Sequence, residues 1–188
     1  MRSRWVPMVG ALVLAVAGCS GSGSDQPKVL PPVPSATVVA SATPTTTAVP
    51  VVVPSAAVPA TPQGAAAFVR FFYGELNGAF QDGHDERIRA LSDPACGTCN
   101  ILAGAVQSGR RADQKVIGIS FQTQSVEAAA EQNGVTLVTV LGLLPRRRFS
   151  DHGTVTVLPG AGHFVHSVTL ARKNSSWRVR GIQYEDAR

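Results

Sequence analysis

The stretch Thr61-Pro62-Gln63-Gly64-Ala65-Ala66-Ala67-Phe68-Val69-Arg70-Phe71-Phe72-Tyr73-Gly74-Glu75-Leu76-Asn77-Gly78-Ala79-Phe80 decides how the chain is read. Thr61 offers a capping hydroxyl, and Pro62 suits the first helical position because its missing N–H would be unpaired there anyway. Ala65, Phe68, Val69, Phe72, Leu76, Ala79 and Phe80 then recur three and four residues apart. That spacing is the apolar stripe of an amphipathic helix. Arg70, Glu75 and Asn77 fall off the stripe, and Asp82-Gly83-His84 predicts its end.

Toward the C-terminus the helical period continues, then changes. Ile88 and Leu91 predict a short second helix over Asp85–Leu91, and Asp93-Pro94 punctuates it. Ile101, Leu102, Ala105 and Val106 predict a third over Thr98–Gly109. From Lys115, Ile117, Ile119 and Phe121 alternate with small or polar residues, the period of a strand. Asn133-Gly134 is a strong hairpin signal because both residues tolerate positive φ. It joins an arm ending near Gln132 to the arm Val135–Leu144. The first arm, Val126–Glu131, contains Ala128-Ala129-Ala130, which favour helix, but the turn needs a partner there and the arm reads as a strand. Pro145 and Gly153 bound an expected loop carrying Arg146-Arg147-Arg148. Thr154–Leu158, His163–Arg172 and Ser176–Tyr184 read as strands, with Asn174-Ser175 turning between the last two. Two or three helices followed by about five mainly antiparallel strands is an α+β domain.

Toward the N-terminus the composition shifts. Of the 13 Pro, eight lie between Pro27 and Pro59, and every aromatic residue except Trp5 lies between Phe68 and Tyr184. This excludes a globule of all 188 residues. Ser20–Thr61 holds one Lys, one Asp and no aromatic residue. A segment with so little apolar surface cannot offset its ordering entropy, so it reads as a tether, roughly 130 Å long if fully extended. Arg2 and Arg4 precede an uncharged apolar run from Val6 to Ala17. That run is short of the ~20 residues a spanning helix needs, and it fits the h-region of a signal peptide.

Val16-Ala17-Gly18-Cys19 resembles the lipobox of bacterial lipoproteins. The resemblance implies cleavage between Gly18 and Cys19, and a diacylglyceryl group on the Cys19 thiol. Two acyl chains would give stable anchoring to the extracytoplasmic face of the cell membrane. The expected organisation is a signal peptide over residues 1–18, a lipidated Cys and tether over 19–61, and one domain over 62–188. A long first helix packed across a curved sheet, ending in a strand with Trp177-Arg178-Val179, resembles the cone-shaped nuclear-transport-factor-2-like (NTF2-like) superfamily. The domain also resembles a family of unknown function found in actinobacterial lipoproteins. That likeness rests on Thr61–Phe68, on Leu91-Ser92-Asp93-Pro94-Ala95-Cys96-Gly97-Thr98-Cys99, and on Trp177-Arg178-Val179. It implies no catalytic residue.

With Cys19 lipidated, Cys96 and Cys99 remain, at a helix start. A structural disulfide suits an exported protein. A redox pair, free thiols, and a zinc site completed by His163 and His166 are the alternatives. Residues three apart on a strand face opposite ways, which disfavours the zinc site, and no metal is assigned. His84, His152, His163 and His166 each read as surface side chains, with a general base in an open cone as the alternative. Tyr73 and Tyr184 are the available phenols. From Pro62 on there are 14 Lys and Arg against 11 Asp and Glu, a balance too mild to indicate nucleic acid. The expected function is a non-catalytic, lipid-anchored binding domain without a cofactor, for an envelope component, a hydrophobic small molecule or a protein. A pocket enzyme of isomerase or hydrolase type in the same fold is the alternative, and a redox partner acting through Cys96 and Cys99 a further one.

Overall fold

Thr61 caps the first helix through its side chain. In the computed structural model, which describes residues 50–160 and 162–185, Thr61 Oγ1 accepts from the Gly64 amide at 3.1 Å. Helix α1 runs Pro62–Asp82 and stops at Gly83, whose φ of 81° is left-handed and suits a residue without Cβ. Helix α2 spans Glu86–Leu91 and α3 spans Gly97–Arg111. The predicted stripe is buried except at its end: Ala65, Phe68, Val69, Phe72, Leu76 and Ala79 are inaccessible and Tyr73 joins them, while Phe80 is only partly buried.

Seven strands follow in two antiparallel sheets, more than the sequence pattern suggests. They are β1 (Gln114–Ile117), β2 (Gln122–Ala128), β3 (Val135–Leu144), β4 (Arg147–Asp151), β5 (Thr154–Leu158), β6 (Gly162–Lys173) and β7 (Ser176–Glu185). The larger sheet has the order β2-β3-β6-β7 and the smaller β1-β4-β5. The domain is α+β, with α1 packed on β2 and β3, and α3 on β7 and β1.

The turns carry the expected chemistry. Asn133 and Gly134 have φ of 53° and 75°, and Asn174 and Ser175 have 50° and 61°. Positive φ at both central residues matches the right-handed twist of the flanking strands.

Three expectations are corrected. The alternating run from Lys115 is a strand only as far as Ile117: Gly118 takes a φ of 95°, and Ile119 and Phe121 lie in the connection to β2, which belongs to the other sheet. The segment between Pro145 and Gly153 is not a loop: Arg147–Asp151 pairs with both β1 and β5, and the turn is His152-Gly153. The tether does not run free to Thr61. Val51 and Val53 are partly buried against the core, Ala57 is fully buried, and Val52 between the two valines is exposed. Trp177 Nε1 donates to the Pro59 carbonyl at 3.0 Å and Arg172 Nη1 to that of Val58 at 2.9 Å, so this segment is clasped to β6 and β7.

Asn77, off the apolar stripe, holds the break between the sheets. Its Oδ1 accepts from the Ser120 and Phe121 amides, each at 2.9 Å, and its Nδ2 donates to the Phe121 carbonyl at 2.9 Å. Asn77→Ala strands three backbone groups beside the buried Ser120. At about 1 kcal/mol per bond lost, the variant is expected to lose about 2–3 kcal/mol in urea unfolding. A loss below about 0.5 kcal/mol would show that water replaces the clamp.

Candidate functional site

Strand β6 alternates. Phe164, His166, Val168 and Leu170 share the face toward α1, and all four are buried. From α1, Tyr73 reaches the same layer. Its hydroxyl lies 2.6 Å from His166 Nδ1, and the two residues are 1% and 4% exposed. Phe121 and Phe164 enclose them: the Phe164 ring centroid is 4.3 Å from that of His166, and Phe121 meets Tyr73 edge-on at 5.9 Å. Tyr184, paired with His166 across the β6–β7 ladder, stands perpendicular to the imidazole at 4.7 Å. Phe164 crosses the cramped position of Gly142, where a Cβ would come within 2.5 Å of the ring.

Burial sets the protonation of the pair. It brings the His166 pKa down to about 4, because a charged imidazole would lose its hydration. It raises that of Tyr73, with the nearby Tyr184 phenol adding to the rise, and partial burial raises that of Tyr184. At neutral pH both partners are uncharged and share one hydrogen bond, whose donor is set by the imidazole tautomer.

The expectation of a surface side chain is therefore corrected for His166. Period two in Phe164-Val165-His166-Ser167-Val168 places it with Phe164 and Val168, a signal the sequence carried. The other histidines are apart from it: His163 is exposed, His84 lies 2.6 Å from Glu86 Oε1, and His152 sits in the β4–β5 turn. His163 and His166 do not converge, and no group of three or more metal-ligating side chains occurs among the described residues.

Cys96 and Cys99 form the second constellation. Their sulfur atoms are 2.05 Å apart, a disulfide distance, and both residues are buried. Cys96 also caps α3, accepting from the Cys99 amide at 3.3 Å. Around them the chain is stitched to β7. The Asp93 amide donates to the Val179 carbonyl at 2.8 Å, Thr98 Oγ1 to the Ile182 carbonyl at 2.9 Å, and Arg178 Nη1 to the Ala90 carbonyl. The stretch Leu91–Cys99 and the end Trp177-Arg178-Val179 thus meet in space, and Trp177 also holds Pro59 just before the helix start. The second and third signature stretches are thus structural clasps, and the first opens α1 through its Thr61 cap.

Open space lies elsewhere. A cavity of about 280 Å³ sits between the C-terminal ends of α1 and α3 and the smaller sheet. Phe80, Val106, Val116, Phe149 and Leu158 line it together with Arg147. Gly18 and Cys19 lie outside the described residues. Among those described, no helix is long and apolar enough to cross a membrane.

No family model and no curated protein matches the chain. Solved structures do. The intermembrane space region of the chloroplast protein ARC6 aligns with 12% identity over 65% of this chain and 95% of its own, at a TM-score of 0.47. An NTF2-like protein with a cystatin-like fold from Novosphingobium aromaticivorans aligns at 12% identity, 64% and 81% coverage, and a TM-score of 0.42. An uncharacterized cystatin-like protein from Caulobacter vibrioides aligns at 14% identity, 65% and 88% coverage, and a TM-score of 0.43. The α+β assignment stands on the helices and sheets themselves.

The buried pair makes stability depend on pH. An unfolded His titrates near ~6.5, and the folded one near 4. Between these values the unfolded chain binds more protons, so stability falls as pH drops from about 6.5 to about 4. The span corresponds to about 3 kcal/mol at ~1.36 kcal/mol per unit. In denaturant titrations at several pH values, His166→Phe is expected to flatten this slope relative to the parent. Parallel profiles for the two proteins would show that His166 does not titrate as a buried neutral group.

Proposed function

We propose that the protein is a lipid-anchored, extracytoplasmic lipoprotein whose C-terminal domain is a non-catalytic binding module. One observation carries the non-catalytic half. The histidine best placed for acid–base work is sealed in a filled interior, bonded to a phenol and walled by Phe121 and Phe164. A general base has to reach the proton it abstracts, and a residue 4% exposed under aromatic rings does not reach a substrate. An isomerase or hydrolase reading in the cone would need that interior open. Burial of Cys96 and Cys99 likewise argues against thiol exchange, which needs access for an attacking thiolate.

The anchored half rests on Val16-Ala17-Gly18-Cys19 directly after the apolar run, and on the Pro-rich segment behind it. A disulfide between Cys96 and Cys99 fits the same compartment, since exported proteins keep such bonds. The domain would stand off the membrane on the residues between Cys19 and the packed Val51.

Cys19→Ala is expected to move the protein from the membrane fraction to the soluble fraction and medium. Retention of the variant on membranes would remove the anchor. On the exported protein, alkylation followed by mass measurement should label neither Cys96 nor Cys99 until reductant is added, and both afterwards. Labelling without reductant would exclude the disulfide.

A further inference from the structure

Arg147 occupies an unusual position. It lies in the middle of the triplet Arg146-Arg147-Arg148, and strand alternation turns it inward while both neighbours are exposed. It lines the 280 Å³ cavity beside Phe149, with Leu158 paired to it across the β4–β5 ladder. Its guanidinium forms no ion pair among the described residues. Its Nε is buried without any hydrogen-bond partner, the one such side-chain atom among the described residues. Because Nε is closed off, a ligand in the cavity would meet the Nη edge of the guanidinium, which is shaped to receive two oxygens side by side.

We propose that this cavity binds a small amphipathic monoanion, a carboxylate on an apolar body, with Arg147 receiving the carboxylate. The walls supply the rest of the specificity: Phe80, Val106, Val116, Phe149 and Leu158 offer an apolar lining. Small-molecule sites are commonly apolar clefts of ~300–1,000 Å³ with a few placed polar groups. At 280 Å³ this one suits a body of about octanoate size. Among the described residues Arg147 is the only charged side chain lining the cavity, which favours a single negative charge over a doubly charged phosphate monoester. The assignment rests on the binding-module reading and gives it a ligand class.

The test is isothermal titration of the full chain carrying Cys19→Ala, with sodium octanoate, 1-octanol and octyl phosphate as probes. Octanoate should bind saturably at one site, with 1-octanol at least tenfold weaker. Arg147→Met keeps the length and apolar stem but removes the fork, and should weaken octanoate at least tenfold while leaving 1-octanol unchanged. Ala105→Trp, from an exposed position of α3 on the cavity rim, should abolish binding of both. Absence of saturable octanoate binding, or equal affinity for 1-octanol, overturns the proposal on the unsubstituted cavity whatever the two cavity variants do. Undiminished octanoate binding by a folded Arg147→Met protein also overturns it. Tighter binding of octyl phosphate than of octanoate overturns the carboxylate in favour of a phosphate head. Membrane fractionation reads independently. Failed octanoate binding with normal release of Cys19→Ala rejects the cavity alone, and the reverse pattern rejects the anchor alone.

Discussion

The hydrogen bond between Tyr73 and His166 is the constraint on which the interior depends. It joins the middle of α1 to the middle of β6, in a layer otherwise made of phenylalanine and aliphatic side chains. Two polar groups are tolerated there because each satisfies the other. Either alone would be an unpaired group in a low-dielectric core, costing about 1–3 kcal/mol. The pair also demands neutrality, which burial enforces by lowering the imidazole pKa and raising the phenol pKa. The chemistry that would make a histidine and a tyrosine useful to a substrate is used here to fix a helix on a sheet. A bond with one permitted geometry specifies the register of α1 over β6 more sharply than apolar contact alone, which is non-directional.

A second set of bonds closes the opposite end of the same layer. The Asp93 amide, the Thr98 hydroxyl and the Trp177 indole all donate to backbone carbonyls of remote segments. Backbone acceptors constrain where the chain passes rather than which partner side chain is present. The Cys96–Cys99 pair and the cap it forms on α3 tighten the turn that delivers Asp93 to β7. The distinctive look of these stretches in the sequence reflects a shared architectural task, and it gives no information about a ligand.

Much of the frame was legible because it rests on local chemistry. The cap at Thr61, the stop at Gly83 and the turn at Asn133-Gly134 depend on residues within four positions of each other. What escaped depends on distant partners. Strand β4 is hidden by three consecutive arginines, whose charge suggests solvent, and only pairing with β1 and β5 reveals it. Val51 and Val53 lie among prolines that bar a longer strand, yet both pack against the core, and the short turn after them, Ser55–Ala57, lies on α1. His166 is the intermediate case. Its neighbours two residues away on either side are apolar, so its face was readable, but the burial of a histidine needs a partner, and Tyr73 lies 93 residues earlier. The proposed anchor at Cys19 rests on a sequence motif whose reading does not depend on the fold.

The two sheets divide the labour unequally. The four-stranded sheet has α1 across it and a continuous, largely apolar buried layer. The three-stranded sheet is short, every residue of β5 is exposed, and Val155, Val157 and Leu158 remain largely uncovered. A layer this thin cannot close over the ends of α1 and α3, so a cavity persists there. The same thinness explains why an arginine is tolerated in β4. In the filled layer an unpaired guanidinium would need a partner as His166 needs Tyr73, whereas at the wall of an open cavity the missing partner can arrive from outside. Closure of one layer and incompleteness of the other follow from one distribution of apolar side chains. That distribution leaves a cavity on the β1-β4-β5 side, away from the core that holds the fold together.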